Sequence, residues 1–176
     1  MNGIVIVDKP AGWTSQDVAA RLRRVFDTRR IGHGGTLDPM ATGVLPVFVG
    51  RATRGVEFFE HAEKTYEAVL RLGLTTDTED VTGEVLEQRD VNISEAEFLG
   101  ILPQFRGEIQ QIPPMYSALK VNGQKLCDLA RKGVEVERKA RTITIFELEC
   151  IEFSGITARL RVRCSKGTYI RTLCKD

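Results

Sequence analysis

Residues 157–164 alternate without interruption between Thr157, Arg159, Arg161 and Arg163 on one side and Ala158, Leu160, Val162 and Cys164 on the other. A period of two puts these sets on opposite faces of a β-strand, one face toward a core and the other carrying a row of arginines. A strand with one wet face belongs in an antiparallel sheet more readily than in a parallel sheet covered on both sides. Residues 142–153 read as another strand just before it. The remaining signals mix strands and helices, with hairpin turns and no regular βαβ repeat. This predicts an α+β domain built on a mixed, largely antiparallel sheet with flanking helices. The chain has 176 residues, 42% of them in the hydrophobic set, enough for one well-buried domain and too little for two comfortable ones.

Other elements follow from local chemistry. Gly3 to Asp8 reads as a short buried strand, broken by Lys9-Pro10-Ala11-Gly12. Thr14-x-x-Asp17 forms a capping-box pattern ahead of a helix over residues 15–26, whose outer face carries Arg21, Arg23 and Arg24. Residues 27–43 hold four glycines and a proline without a sustained period, and are expected to be a long loop. Val44 to Val49 is a strand candidate, residues 51–61 a helix candidate, and Thr65 to Leu72 a strand with Tyr66, Ala68, Leu70 and Leu72 on one face. Ser94 should cap a helix to about Leu102. Asn122-Gly123 marks a tight turn between a strand around Tyr116 to Lys120 and a short return, followed by a brief helix ending at Gly133.

The net charge of +1 says nothing for a polyanionic partner, but its distribution is uneven. Residues 21–30 hold five arginines against one aspartate, and residues 159–175 hold six basic residues and no acid. Residues 77–97 hold eight acids against one arginine and are expected at the surface. Cys127, Cys150, Cys164 and Cys174 form no C-x-x-C pair, and only His33 and His61 are available to join them. Buried free thiols are therefore expected, without a metal site or disulfide framework. The apolar run Ile4 to Val7 is too short for a signal peptide or a membrane span, so a cytoplasmic protein with no membrane association is expected.

The loop Arg29 to Gly43 is the most unusual segment. Its glycines at 32, 34 and 35 permit close approach to a ligand, and Pro39 restricts Asp38 to extended backbone. Taken alone, Asp38 could do no more than organise a turn. The segment is not a nucleotide-binding P-loop, because no Gly-Lys-Ser/Thr follows. Lys166 to Arg171 should turn from strand into helix, where amides and cations can hold an anion. Gln111 to Lys120 combines a diproline with Tyr116 and Lys120, which would suit either an RNA groove or a sheet edge.

Five motifs, taken in order, resemble the TruB family of tRNA pseudouridine-55 synthases. They are Asp8-Lys9-Pro10-x-Gly12-x-Thr14-Ser15, Gly32-His33-Gly34-Gly35-Thr36-Leu37-Asp38-Pro39-x-Ala41-Thr42-Gly43-Val44-Leu45-Pro46, Lys64-x-Tyr66, Pro113-Pro114-x-Tyr116-Ser117-Ala118-Leu119-Lys120 and Gly167-Thr168-Tyr169-Ile170-Arg171. The resemblance implies a pseudouridine synthase catalytic core that isomerises uridine to pseudouridine at position 55 in the T loop of tRNA, by base flipping. Asp38 stands at the family's catalytic aspartate, for which addition to the pyrimidine C6, attack on the ribose C1′ and a glycal route are the alternatives. Tyr66 matches the active-site tyrosine that stacks on the flipped base, and Arg171 the active-site arginine. His33 matches the residue that fills the space of the flipped nucleotide, and Tyr169 one that lines the uracil pocket. Lys9 and Pro10 match a segment that supports the active-site loop.

The resemblance further implies no cofactor and no metal, the T arm of tRNA as partner, no guide RNA, and a monomer. The arginine helix and the arginine strand are both expected to neutralise RNA phosphates. Family members typically continue into further catalytic structure and a small C-terminal domain of the PUA type. Residues 1–176 are accordingly expected to be a catalytic domain truncated at its C-terminus, lacking one apolar pocket residue. Cys127 stands where an aromatic is common. Two other readings compete: a tRNA-binding or folding-assisting protein, and the guide-RNA-dependent branch of the same superfamily.

Overall fold

The computed structural model describes residues 1–176, apart from the Glu60 side chain. The chain forms two compact units, Met1–Ala62 and Glu63–Asp176.

In the first unit, β1 (Gly3–Lys9) pairs along its length with β3 (Gly43–Val49), and β2 (Ile31–His33) joins the other edge of β3. The strand β2 lies inside the stretch expected to be a continuous loop. Its three residues carry no period of their own and are strand only because Val47 to Val49 pair with them. Pro46 sits in the central strand of this sheet without breaking it. Its carbonyl accepts from Gly34 N–H at 2.8 Å on the β2 side, one residue beyond the end of β2, where its missing donor leaves no ladder bond unmade. Helix α1 (Ser15–Val25) starts on the expected capping box, with Thr14 and Asp17 bonding each other reciprocally. It buries Val18 and Ala19 against Ile31, Leu45, Val47 and Val49. A 3₁₀ turn (Gly50–Gly55) leads into α2 (Val56–Glu60).

The second unit is organised by a four-stranded sheet in the order β4 (Lys64–Arg71), β11 (Thr157–Cys164), β10 (Arg141–Phe153) and β7 (Gly107–Gln111). Every pairing is antiparallel. The alternation along β11 is realised: Ala158, Leu160, Val162 and Cys164 are buried, and with Ile143, Ile145, Leu148, Phe98 and Leu102 they form the core. Helix α3 (Glu95–Ile101) starts on a second capping box, Ser94 with Glu97. Hairpins β5 (Leu74–Thr76) with β6 (Val85–Gln88), and β8 (Lys120–Val121) with β9 (Gln124–Lys125), flank the sheet. Helices α4 (Leu126–Ala130) and α5 (Ile170–Lys175) complete the unit. The fold class is therefore α+β on antiparallel sheets with flanking helices.

Two local expectations need correction. The strand around Tyr116 shrinks to the two residues Lys120–Val121, because the diproline before it supplies no ladder donors. Asn122 and Gly123 do make the tight turn, at φ 52 and 81. The acidic stretch is not wholly surface, since the side chains of Glu79 and Asp80 are only 9% and 10% exposed. Helix α5 has six residues, and its Arg171 and Thr172 side chains bond to the Thr78 and Tyr116 carbonyls and to Glu79.

Candidate active site

In the first unit, the loop that carries Asp38 is tied down on both sides of that residue. Before it, Leu37 N–H donates to Ser15 Oγ at 2.9 Å, and the same hydroxyl lies 3.3 Å from the Leu37 carbonyl. After it, the Pro39 carbonyl accepts from Gly12 N–H at 2.8 Å and from Lys9 Nζ at 3.2 Å. Ser15 and Lys9 are buried, 2% and 0% exposed. The Lys9 ammonium also donates to the carbonyls of Pro10 at 2.9 Å and Trp13 at 2.6 Å, so its three donors have three carbonyl acceptors. Burial pushes its pKa below the ordinary 10.5, against the pull of the Asp38 and Asp17 carboxylates. Asp38 itself is half-buried, and its carbonyl accepts from Ala41 N–H at 3.0 Å. The backbone on both sides of the carboxylate is thereby fixed in place.

His33 ends β2, and its ring Nδ1 makes a short hydrogen bond to the Gly35 carbonyl. This folds the histidine back over its own glycine loop. Gly34 has little room for a side chain, since a Cβ there would meet the Phe48 ring at 3.1 Å.

In the second unit, Tyr66 lies on β4 opposite Val162, half-buried against the core. Tyr169 precedes α5 and is clamped by Gln111: its N–H donates to Gln111 Oε1 at 3.0 Å and its carbonyl accepts from Gln111 Nε2 at 3.1 Å. Gln111 is 1% exposed, and both polar ends of its amide are used. Arg171, in the first turn of α5, is 12% exposed. Its guanidinium donates to the carbonyls of Thr78 and Tyr116, each at 2.9 Å, and lies 3.7 Å from Asp80.

Sequence reasoning does not single out Asp80 or Gln111 as site residues. Asp80 accepts from Thr82 N–H at 2.9 Å, Thr82 Oγ1 at 2.6 Å and Thr78 Oγ1 at 2.8 Å. Burial pushes its carboxyl upward, but these bonds and the Arg171 guanidinium outweigh it and hold the group below its ordinary 3.8. The Thr78-x-Asp80-x-Thr82 spacing, typical of a turn tied by its own side chains, is the one signal the sequence offers for it. Next to it, Glu79 receives Thr172 Oγ1 and Lys175 Nζ, each at 2.7 Å, so the β5–β6 turn is fastened to α5 at two adjacent carboxylates. The thiols have a different character: burial pushes Cys174 up to about 11 and raises Cys164 and Cys150 as well. None of these three has the lowered pKa of a nucleophilic cysteine.

The family model described as "TruB family pseudouridylate synthase (N terminal domain)" matches residues 23–170. The chain belongs to the TruB family. It is 52% identical over 176 residues to "tRNA pseudouridine synthase B" of Dechloromonas aromatica (strain RCB), covering 100% of this chain and 59% of that protein. It is 49% identical to the protein of the same name from Clostridium kluyveri, covering 100% of this chain and 61% of that one. The chain thus spans about three fifths of the length of these curated relatives. A solved structure titled "Crystal Structure of a Cbf5-Nop10-Gar1 Complex" is similar with a TM-score of 0.74 and 32% identity, over 98% of this chain and 42% of that one. A second, "Structure of H/ACA RNP bound to a substrate RNA containing 2'-deoxyuridine", has a TM-score of 0.69 and 29% identity, over 98% and 40%. Of the residues matching TruB motifs, His33 and Asp38 lie on the first unit, and Tyr66, Tyr169 and Arg171 on the second.

Proposed function

We propose that the protein is the catalytic part of a tRNA pseudouridine synthase that isomerises uridine at position 55 of the T loop without a guide RNA. One observation carries the reading: Asp38 stands in the TruB loop motif with its neighbours Leu37 and Pro39 each anchored to a buried polar side chain. A carboxylate that must act on a nucleoside gains most from such preorganisation. The relatives at about half identity bear the name of the tRNA enzyme, which favours the guide-free branch over the assemblies named for the solved structures.

In this reading the target uridine leaves the stack, Tyr66 stacks on its base, and Asp38 enables uracil to detach through nitrogen and return through carbon. Stacking is worth roughly 1–3 kcal/mol per base, of the same order as the few kcal/mol spent on flipping. His33 fills the vacated space, Tyr169 lines the uracil pocket, and Arg171 serves the carboxylate chemistry as an oriented cation. The reaction is redox-neutral and needs no external group donor, so we propose no cofactor and no metal. We further propose that the enzyme works as a monomer in the cytoplasm, on the T arm of tRNA. No helix among the described residues is long and apolar enough to cross a membrane.

The test is incubation with an unmodified tRNA transcript alone, followed by chemical mapping of pseudouridine. Product at position 55 is expected. Asp38→Asn should abolish turnover while leaving tRNA affinity within about tenfold, or about 1.4 kcal/mol. Pseudouridine formation by a clean Asp38→Asn preparation would overturn the assignment, and a requirement for added guide RNA would move the protein to the other branch.

A further inference from the structure

Beside the start of α1, the first unit carries an open groove of about 420 Å³ lined by Gly12, Trp13, Asp17, Ala20, Arg21 and Arg24. Positions 17, 20, 21 and 24 fall on one face of the helix, at spacings of three and four. Trp13, the single tryptophan of the chain, leaves 42% of its surface in solvent. Ala20 adds no bulk to the floor between the ring and the arginines. Arg21 and Arg24 are exposed, one helical turn apart, and among the described residues neither has a carboxylate partner. The acid of the groove, Asp17, is engaged through Oδ2 with Thr14 N–H and Oγ1 at 2.8 and 2.6 Å. Two guanidinium groups therefore face the groove against one carboxylate held in a helix cap.

We infer that this groove holds one unpaired nucleotide of the RNA substrate, its base stacked on Trp13 and its phosphate between Arg21 and Arg24. The inference rests on the RNA-modifying reading above and adds a binding subsite outside the Asp38 loop. An aromatic ring next to cations is the pairing that single-stranded RNA uses, because every base has a stacking face and every link a phosphate. A free nucleotide suits the site poorly: pockets for small ligands enclose most of the ligand, and this groove is open along its length. A chain passing across it gains the ring and the charges without needing enclosure.

Because Trp13 is the only tryptophan, its fluorescence reports on this groove alone. The parent protein is titrated with an unmodified tRNA transcript, with 5′-UMP at equal nucleotide concentration, and with poly-glutamate. The tRNA should quench the emission and the other two should not. In filter binding, Trp13→Ala should weaken tRNA affinity roughly tenfold or more, and Trp13→Phe, which keeps a stackable ring, should recover most of it. Unchanged emission at saturating tRNA overturns the inference, as does Trp13→Ala binding within about twofold of the parent. Quenching by poly-glutamate equal to that by tRNA assigns the groove to an acidic protein segment, and saturation by UMP assigns it to a free nucleotide; either result overturns it. Pseudouridine mapping on the same mixtures separates the two readings. Product without quenching removes the subsite and leaves the enzyme, whereas quenching without product does the reverse.

Discussion

On β11, Arg159, Arg161 and Arg163 stand two residues apart and each meets a glutamate from a neighbouring strand or segment. Arg161 pairs with Glu67 at 2.8 Å and Glu149 at 3.9 Å, Arg163 with Glu147 at 2.8 Å and with Glu63, and Arg159 with Glu152 at 3.7 Å. The ladder register sets Glu147, Glu149 and Glu152 directly opposite these arginines. On α1, Arg21 and Arg24 form no ion pair among the described residues, and the one acid of their groove, Asp17, is held in the helix cap. Arg23 meets the Gln16 amide, whose oxygen accepts at 3.1 Å in the orientation that satisfies both groups. The two clusters look alike in sequence, and charge density alone assigns phosphate to both. The sheet neutralises one of them internally, because antiparallel pairing brings distant glutamates opposite each arginine. The helix leaves the other with its charge facing outward. Local charge density therefore says little about charge available to a partner until the register is known.

Arg171 is a third kind of arginine, buried and held by two carbonyls as well as by Asp80, and it should give the largest effect. A planar guanidinium serves acceptors on several sides at once, whereas an ammonium is a point charge on a flexible stem. Arg171→Lys should lower the single-turnover rate on a saturating T-arm stem-loop by a factor on the order of 10² or more, with little change in KM. A lysine variant within about threefold of the parent rate would mean that charge alone suffices there.

The α1 cluster comes next. Replacing Arg21 and Arg24 together by Gln should weaken tRNA binding across sequences and reduce the slope of log K against log salt by roughly 0.7 to 0.9 for each phosphate no longer neutralised. Filter binding at several salt concentrations checks this, and an unchanged slope would place the RNA on another face.

The contrast between strand and helix extends to what is legible in the sequence. The Thr14–Asp17 capping box, the Ser94 cap, the Asn122-Gly123 turn and the alternation of 157–164 can be read directly, because each depends on residues within a few positions of one another. The strand β2 cannot, because Ile31 to His33 pair only once Val47 to Val49 are beside them. Nor can β7, whose residues Gly107 to Gln111 are mostly polar at a sheet edge. At the candidate site, the motif loop around Asp38 stands out, whereas the two anchors on Leu37 and Pro39 join positions more than twenty residues apart. Asp80 is hidden within a run of acids that looks like surface. Its role emerges only when α5 brings Arg171 and Lys175 against that turn.

Asp80 should leave a pH signature. Its folded pKa is held below the ordinary 3.8, so its contribution to stability is present above that value and is lost as pH falls through the folded pKa. Asp80→Asn should be less stable than the parent near neutrality and show a flatter decline in urea melts between about pH 5 and pH 2. An unchanged acid limb in the variant would mean that Asp80 does not carry this part of the acid response.

The smallest effect should come from β11. Arg159 and Arg161 are exposed and Arg163 half-buried, and ion pairs this open to water gain little over their solvated partners, because water screens them and the long side chains lose freedom on pairing. Replacing Arg159, Arg161 and Arg163 by Gln should therefore shift the thermal midpoint by a few degrees at most. The glutamates they leave behind lie at the surface, where water can solvate them, so no buried charge is orphaned. The salt slope of tRNA binding should stay at the parent value, since cations already neutralised by Glu147, Glu149, Glu152, Glu63 and Glu67 have no condensed counterions of the RNA to replace. This triple variant is the control for the Arg21 and Arg24 pair, with one more charge removed and the opposite outcome expected. A fall in slope comparable to that of the helix variant would show that RNA displaces the glutamates and recruits the strand.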